Sequence, residues 1–165
     1  MTGKKISILG VFLGIGLVLH LVESLFPPPL PLPGVKLGLA NVVTLVVLFL
    51  GSIREAFLVS FFRIILGSLL GGTFLQIGFF ISLGGGITSF LTMAAAKKMS
   101  CSLMGTSVIG ALSHNLGQVI VVFLFLGTTA IFWYLPLFLL IALPCGIFIG
   151  YLGWLFFRFW PNKSL

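Results

Sequence analysis

The residues able to do chemistry in this chain are few, and most lie inside long apolar runs. His20 and Glu23 are three apart, so a helix places them on one face. Arg63 stands in the middle of one apolar stretch, and His114, Asn115 and Gln118 interrupt another, with His114 and Gln118 sharing a face. Asn41 and Gln76 sit toward the ends of further runs, and Lys36 lies in the loop before Asn41. Ionisable groups in such surroundings are costly and point to function. An arginine there suits two-pronged binding of a carboxylate or phosphate. The cluster on the fifth run needs more hydrogen-bond partners than packing supplies, which points to a ligand or an internal water. These residues define the expected binding site: Lys36, Asn41, Arg63, His114, Asn115 and Gln118. The plainer alternative is that Arg63 pairs with Glu23, the one acid in an apolar run, and ties two helices together.

Other chemistries are excluded by what the sequence lacks. It has no Gly-x-x-x-x-Gly-Lys-Ser/Thr segment, so it is not its own P-loop ATPase. With two glutamates and no aspartate, it has no carboxylate pair to hold magnesium on a diphosphate. No His-x-x-x-His or Cys-x-x-Cys spacing supports a metal site. Two cysteines, Cys101 and Cys145, are too few for a disulfide framework and read as reduced, structural thiols. No catalytic group, metal or cofactor is expected, and the chain reads as a binding protein, not an enzyme. Any transport would need energy from another subunit.

The elements that must position these groups are membrane helices. Of 165 residues, 59% are hydrophobic and 7% are charged, with a mean hydropathy of +1.31. Soluble domains carry roughly 25% charged residues, so most of this surface must face lipid. The reading is an all-α, polytopic protein forming one transmembrane domain over residues 1–165. Six helices are expected, at about 6–26, 39–51, 53–71, 74–96, 103–126 and 134–157. The second boundary rests on Gly51 as a helix end and on Ser52-x-x-Glu55 as a capping box. The first run has no small-x-small cleavage site after it and is read as a retained helix.

The +7 charge belongs to topology, with no nucleic-acid partner implied. With six spans, Lys4, Lys5, Arg54, Lys97, Lys98, Arg158 and Lys163 all fall on one side, and only Lys36 on the other. The positive-inside rule then places both termini in the cytoplasm. Trp133-Tyr134, and Trp154 with Trp160, suit the two interfacial belts. The Pro27–Gly34 segment cannot be helical and reads as a stiff outer strap, either a connector or a lid. Small residues four apart occur at Gly10/Gly14, Gly67/Gly71 and Gly146/Gly150, spacings common where membrane helices touch. Gly10 and Gly14 could also seat a partner's helix. Gly84-Gly85-Gly86 suggests a kink or a close approach of backbone or ligand.

The segment Pro33-Gly34-Val35-Lys36-Leu37-Gly38-Leu39-Ala40-Asn41, with Arg63 ahead of Gly67 and Ser113-His114-Asn115-x-x-Gln118, resembles a family. These are the small bacterial membrane proteins called Gx transporters, also labelled heptaprenyl diphosphate synthase component I. That family is similar in architecture to the substrate-binding S components of energy-coupling-factor (ECF) vitamin transporters. The resemblance implies six helices, a pocket closed by the loop between helices one and two, and docking on ECF transmembrane and ATPase subunits. By position, Gly10 and Gly14 match the docking motif and residues 27–38 match the loop. Glycine stands where S components typically show alanine, and the loop is unusually rich in proline. The resemblance implies uptake of a small vitamin-like or cofactor-precursor molecule across the cytoplasmic membrane. The alternative it leaves open is a non-transporting subunit of a prenyl/quinone-synthesis or flavin-based extracellular electron-transfer system.

Overall fold

A computed structural model of the chain describes residues 3–25 and 38–160. Lys36 and the proline-rich strap lie outside the described residues. Six α-helices follow in order: α1 (Gly3–Leu25), α2 (Asn41–Leu50), α3 (Ile53–Leu70), α4 (Ile77–Lys98), α5 (Leu103–Leu126) and α6 (Leu135–Phe159). A 3-10 turn at Thr129–Tyr134 leads into α6. The expected boundaries hold to within about three residues at every described end.

Four of these elements are long and apolar enough to cross a membrane: α1, α4, α5, and α6 together with its 3-10 turn. The other two differ for definite reasons. The eighteen residues of α3 include Arg54, Glu55 and Arg63, and α2 has only ten residues. Large apolar side chains such as Val11, Leu91, Leu124 and Leu140 point outward, as expected where lipid replaces water around the protein.

The short helix is the centre of the bundle. α2 touches each of the other five helices, and Val43, Leu45, Val47 and Leu48 are almost wholly enclosed. Its two ends are held by charged side chains from elsewhere. At the N-terminus, Glu23 of α1 accepts hydrogen bonds from the backbone N–H groups of Gly38 (2.5 Å) and Leu39 (3.3 Å). At the C-terminus, Lys97 of α4 donates to the carbonyls of Leu48 and Gly51. Negative charge at a helix start and positive charge at its end both stabilise the helix dipole.

The break after α2 forms as its residues require. Ser52 Oγ accepts from the Glu55 N–H, and Glu55 returns the bond to the Ser52 N–H at 2.9 Å. Glu55 also pairs with Lys5 at 2.8 Å, which fastens the start of α1 to the start of α3. The most extensive packing is of α5 against α4 and α6. Gly146 and Gly150 serve the α5–α6 contact, where an added Cβ would lie 2.8 Å from Val108 Cα and 2.5 Å from Met104 Sδ.

Candidate functional site

The helices alternate in direction, so the later halves of α1, α3 and α5 meet the earlier halves of α2 and α4 at one end of the bundle. Nearly every polar residue singled out above, if it is described, comes to that end. Arg63 Nη2 donates to Asn41 Oδ1 at 3.0 Å. Asn41 Nδ2 then lies 3.3 Å from both Ser89 Oγ and His114 Nδ1. Arginine can only donate, so it fixes which way the Asn41 amide points. The amide nitrogen is thereby turned, as a donor, toward Ser89 Oγ and His114 Nδ1.

A small cavity among these groups is lined by His20, Glu23, Gly38, Arg63, Ser82 and His114, with Ile64. Its free volume of about 10 Å³ has room for roughly one water molecule. Arg63 is 3% exposed and its Nε has no hydrogen-bond partner. Gln118 is 1% exposed, and neither its amide oxygen nor its amide nitrogen is hydrogen-bonded. Buried polar atoms almost always find partners. Three unused ones at the same end of the bundle are unspent capacity to bind.

Glycines make room for this chemistry. An added Cβ on Gly16 of α1 would lie 2.9 Å from Arg63 Cδ, and one on Gly67 of α3 would lie 2.6 Å from His20 Cδ2. Each helix thus recesses by one side chain to seat the other's polar residue. The pattern is in the sequence as Gly16-x-x-x-His20 and Arg63-x-x-x-Gly67, two glycines each four residues from a polar group. The glycine triplet of α4 points three ways in an unbroken helix. Gly84 packs on Val121 and Gly117 of α5, Gly85 faces Gln118 and His114, and Gly86 faces Ile64. Of the two readings of the triplet, close approach is the one realised.

Two readings of the sequence meet a different placement. Asn115 turns away from the cluster and donates to the Phe138 carbonyl of α6 at 2.8 Å. Glu23, which could have tied Arg63 to α1, instead accepts from the backbone ahead of α2, while its charge still faces the guanidinium across the cavity. Gln76 stands at the start of α4, the end of its run where the sequence puts it, exposed and donating to the Gly72 carbonyl. Residues that the sequence set omitted also line the site: Glu23, His20, Gly38, Ser82 and Ser89. Gly38 needs its lack of a side chain twice over, with φ at +83° and Asn41 Nδ2 only 3.1 Å from where a Cβ would stand. Gly10 and Gly14 are exposed on α1, with no atom within 4 Å of an added Cβ.

A helical bundle with an apolar exterior and a buried polar cluster at one end defines a polytopic membrane protein with a candidate ligand site. The chain belongs to the heptaprenyl diphosphate synthase component I family, whose pattern matches residues 12–156. Neither the curated proteins nor the solved structures compared with it match the chain.

Proposed function

We propose that this protein is a substrate-binding membrane subunit, built like the S components of ECF transporters, that captures a small vitamin-like or cofactor-precursor molecule for uptake. All six helices cross the cytoplasmic membrane, with both termini in the cytoplasm and the polar cluster opening outward. The protein binds without catalysing a reaction, and separate transmembrane and ATPase subunits supply the energy. One observation carries this reading: Arg63, on the wall of the polar cavity, and Gln118, which shares the space over Gly85 with the cavity residue His114, are buried with hydrogen-bonding atoms unused. A carboxylate or phosphate would satisfy the arginine, and the amide could both donate and accept. The bare face around Gly10 and Gly14 suits close approach of a partner's helix.

The family description, a heptaprenyl diphosphate synthase component, favours a second reading, a membrane subunit of a prenyl/quinone-synthesis complex; a subunit of a flavin-based extracellular electron-transfer system is the other form of that reading. Prenyl transfer on this chain is disfavoured by chemistry, because both glutamates are engaged: Glu23 at the start of α2, Glu55 with Ser52 and Lys5. The two readings separate in native mass spectra of the gently purified protein from its own host. A small ligand together with ATPase-bearing subunits supports uptake. A redox or prenyl-synthesis partner with no such subunits overturns it in favour of the second reading.

A further inference from the structure

A second recess borders the polar cavity and has the opposite chemistry. It lies between α3 and α4 and is lined by Phe57, Phe61, Leu83, Ile87 and Phe90, with Ser60, Ile64 and Gly86 at its floor. Phe57 stacks on Phe61 at 5.7 Å and leans on Phe90 at 5.4 Å. Phe57, Phe61 and Ile87 reach the outer surface of the bundle, so the recess opens sideways, where lipid chains would be. Ile64 lines both recesses and is the partition between them. Behind it, Gly86 has no side chain, and an added Cβ there would collide with Ile64 Cδ1. The partition is thus a single aliphatic side chain that fills the space a Cβ on Gly86 would take.

We infer that the two recesses are one binding site for a single-chain amphiphile with an oxyanion head. The head, a phosphate or carboxylate, takes Arg63 and Gln118, and the chain passes Ile64 into the aromatic slot. The slot runs from Ile64 to Phe57, seven residues along α3, or about 10 Å at 1.5 Å per residue. Its free volume is about 10 Å³, room for roughly one water, so a short chain, or the first part of a longer one, enters only as Ile64 and the outward Phe57 and Phe61 rings swing aside. The charge argues for the head: Arg63 keeps an unused N–H donor. Continuity through Ile64 argues for the chain. An annular lipid lying in the groove would need neither. This inference rests on the polar cluster being a ligand site, so its test must separate the two.

The experiment is a binding series on the full-length protein in nanodiscs of zwitterionic phosphatidylcholine. The probes are inorganic phosphate, then alkyl phosphates and alkanoates of two to ten carbons, with affinity read by native mass spectrometry. Each buried methylene is expected to raise affinity roughly fourfold, levelling off when the slot is full. Ile87→Trp, at a position 42% exposed, fills the slot mouth from outside the core. It should flatten the chain-length series and leave inorganic phosphate or acetate binding unchanged. Arg63→Gln should weaken every probe. Thermal melting of each variant confirms that it is folded. A series equally steep in wild type and Ile87→Trp, yet lost in Arg63→Gln, overturns the slot and leaves the polar site standing. Binding insensitive to Arg63→Gln overturns both, and marks the chain-length effect as bilayer partitioning. Phosphates binding where alkanoates do not, or the reverse, identifies the head.

Discussion

Asn115 and Gln118 are buried amides three residues apart on α5, and they meet opposite surroundings. Asn115 belongs to the seam with α6, where its amide bonds the Phe138 carbonyl and Ser107 bonds the Gly146 carbonyl at 2.7 Å. Gln118 belongs to the end of the bundle shared with α1, α3 and α4, and both its amide atoms are unused. Glycine differs between the regions in the same way. In the seam, Gly146 and Gly150 bring backbones together. At the polar end, Gly16, Gly67 and Gly85 recede from the side chains of Arg63, His20, His114 and Gln118. Polarity at depth therefore does not mark the binding region. What sets Gln118 and Arg63 apart from Asn115 is hydrogen-bonding capacity left over after packing.

The strongest way to break this contrast is to remove the charge. Arg63→Ala or His114→Ala should cost ligand binding about 2–5 kcal/mol, measured as retained small molecule or affinity, with the protein still folded. Unchanged affinity in both variants would falsify the site assignment. Next, Gly67→Ala should lower stability by about 1–3 kcal/mol, because its methyl group must displace the His20 ring. A melting temperature equal to wild type would mean that His20 is not held against α3.

A paired substitution sharpens the comparison further. Asn115→Leu leaves the α6 carbonyl without its side-chain donor and should destabilise by about 1 kcal/mol, with ligand affinity intact. Gln118→Met removes two unpartnered atoms and should stabilise the empty protein by about 1 kcal/mol while weakening the ligand. Shifts of the same sign in thermal melts of the two would erase the distinction drawn here. The smallest expected effect is at Gly10 and Gly14. Replacing both with leucine should leave stability unchanged or raise it slightly, since leucine favours helix over glycine. Loss of co-purifying subunits would be the only consequence, and unaltered co-purification would remove these glycines from any docking face.

Much of this was legible in the sequence, for physical reasons that vary by element. Helix positions follow from apolar run length, and the break between α2 and α3 follows from Ser52 and Glu55, whose capping geometry is wholly local. Arg63, Asn41, His114 and Gln118 stand out because polar groups are rare in such runs. Which neighbours they choose was not legible. Asn115 adjoins His114 in sequence, yet one step along a helix turns a side chain by about 100° and into another interface. Glu23 looked like a partner for Arg63 because it is the one acid in an apolar run, but the unpaired N–H groups ahead of α2 hold it. Gly16-x-x-x-His20 and Arg63-x-x-x-Gly67 stand in the sequence, but that each glycine seats the other helix's polar residue shows only once α1 packs on α3.

The short central helix has an electrical consequence. At 1.5 Å per residue the ten residues of α2 span about 15 Å, half of a hydrocarbon core of about 30 Å. Charged side chains stand at both its ends, Glu23 at one and Lys97 at the other. With the helices placed across the membrane as proposed, these opposite charges are separated along the direction of the membrane potential. The potential then pulls Glu23 and Lys97 opposite ways along α2. Arg63, bonded to the first residue of that helix, feels the same field with the sign of Lys97.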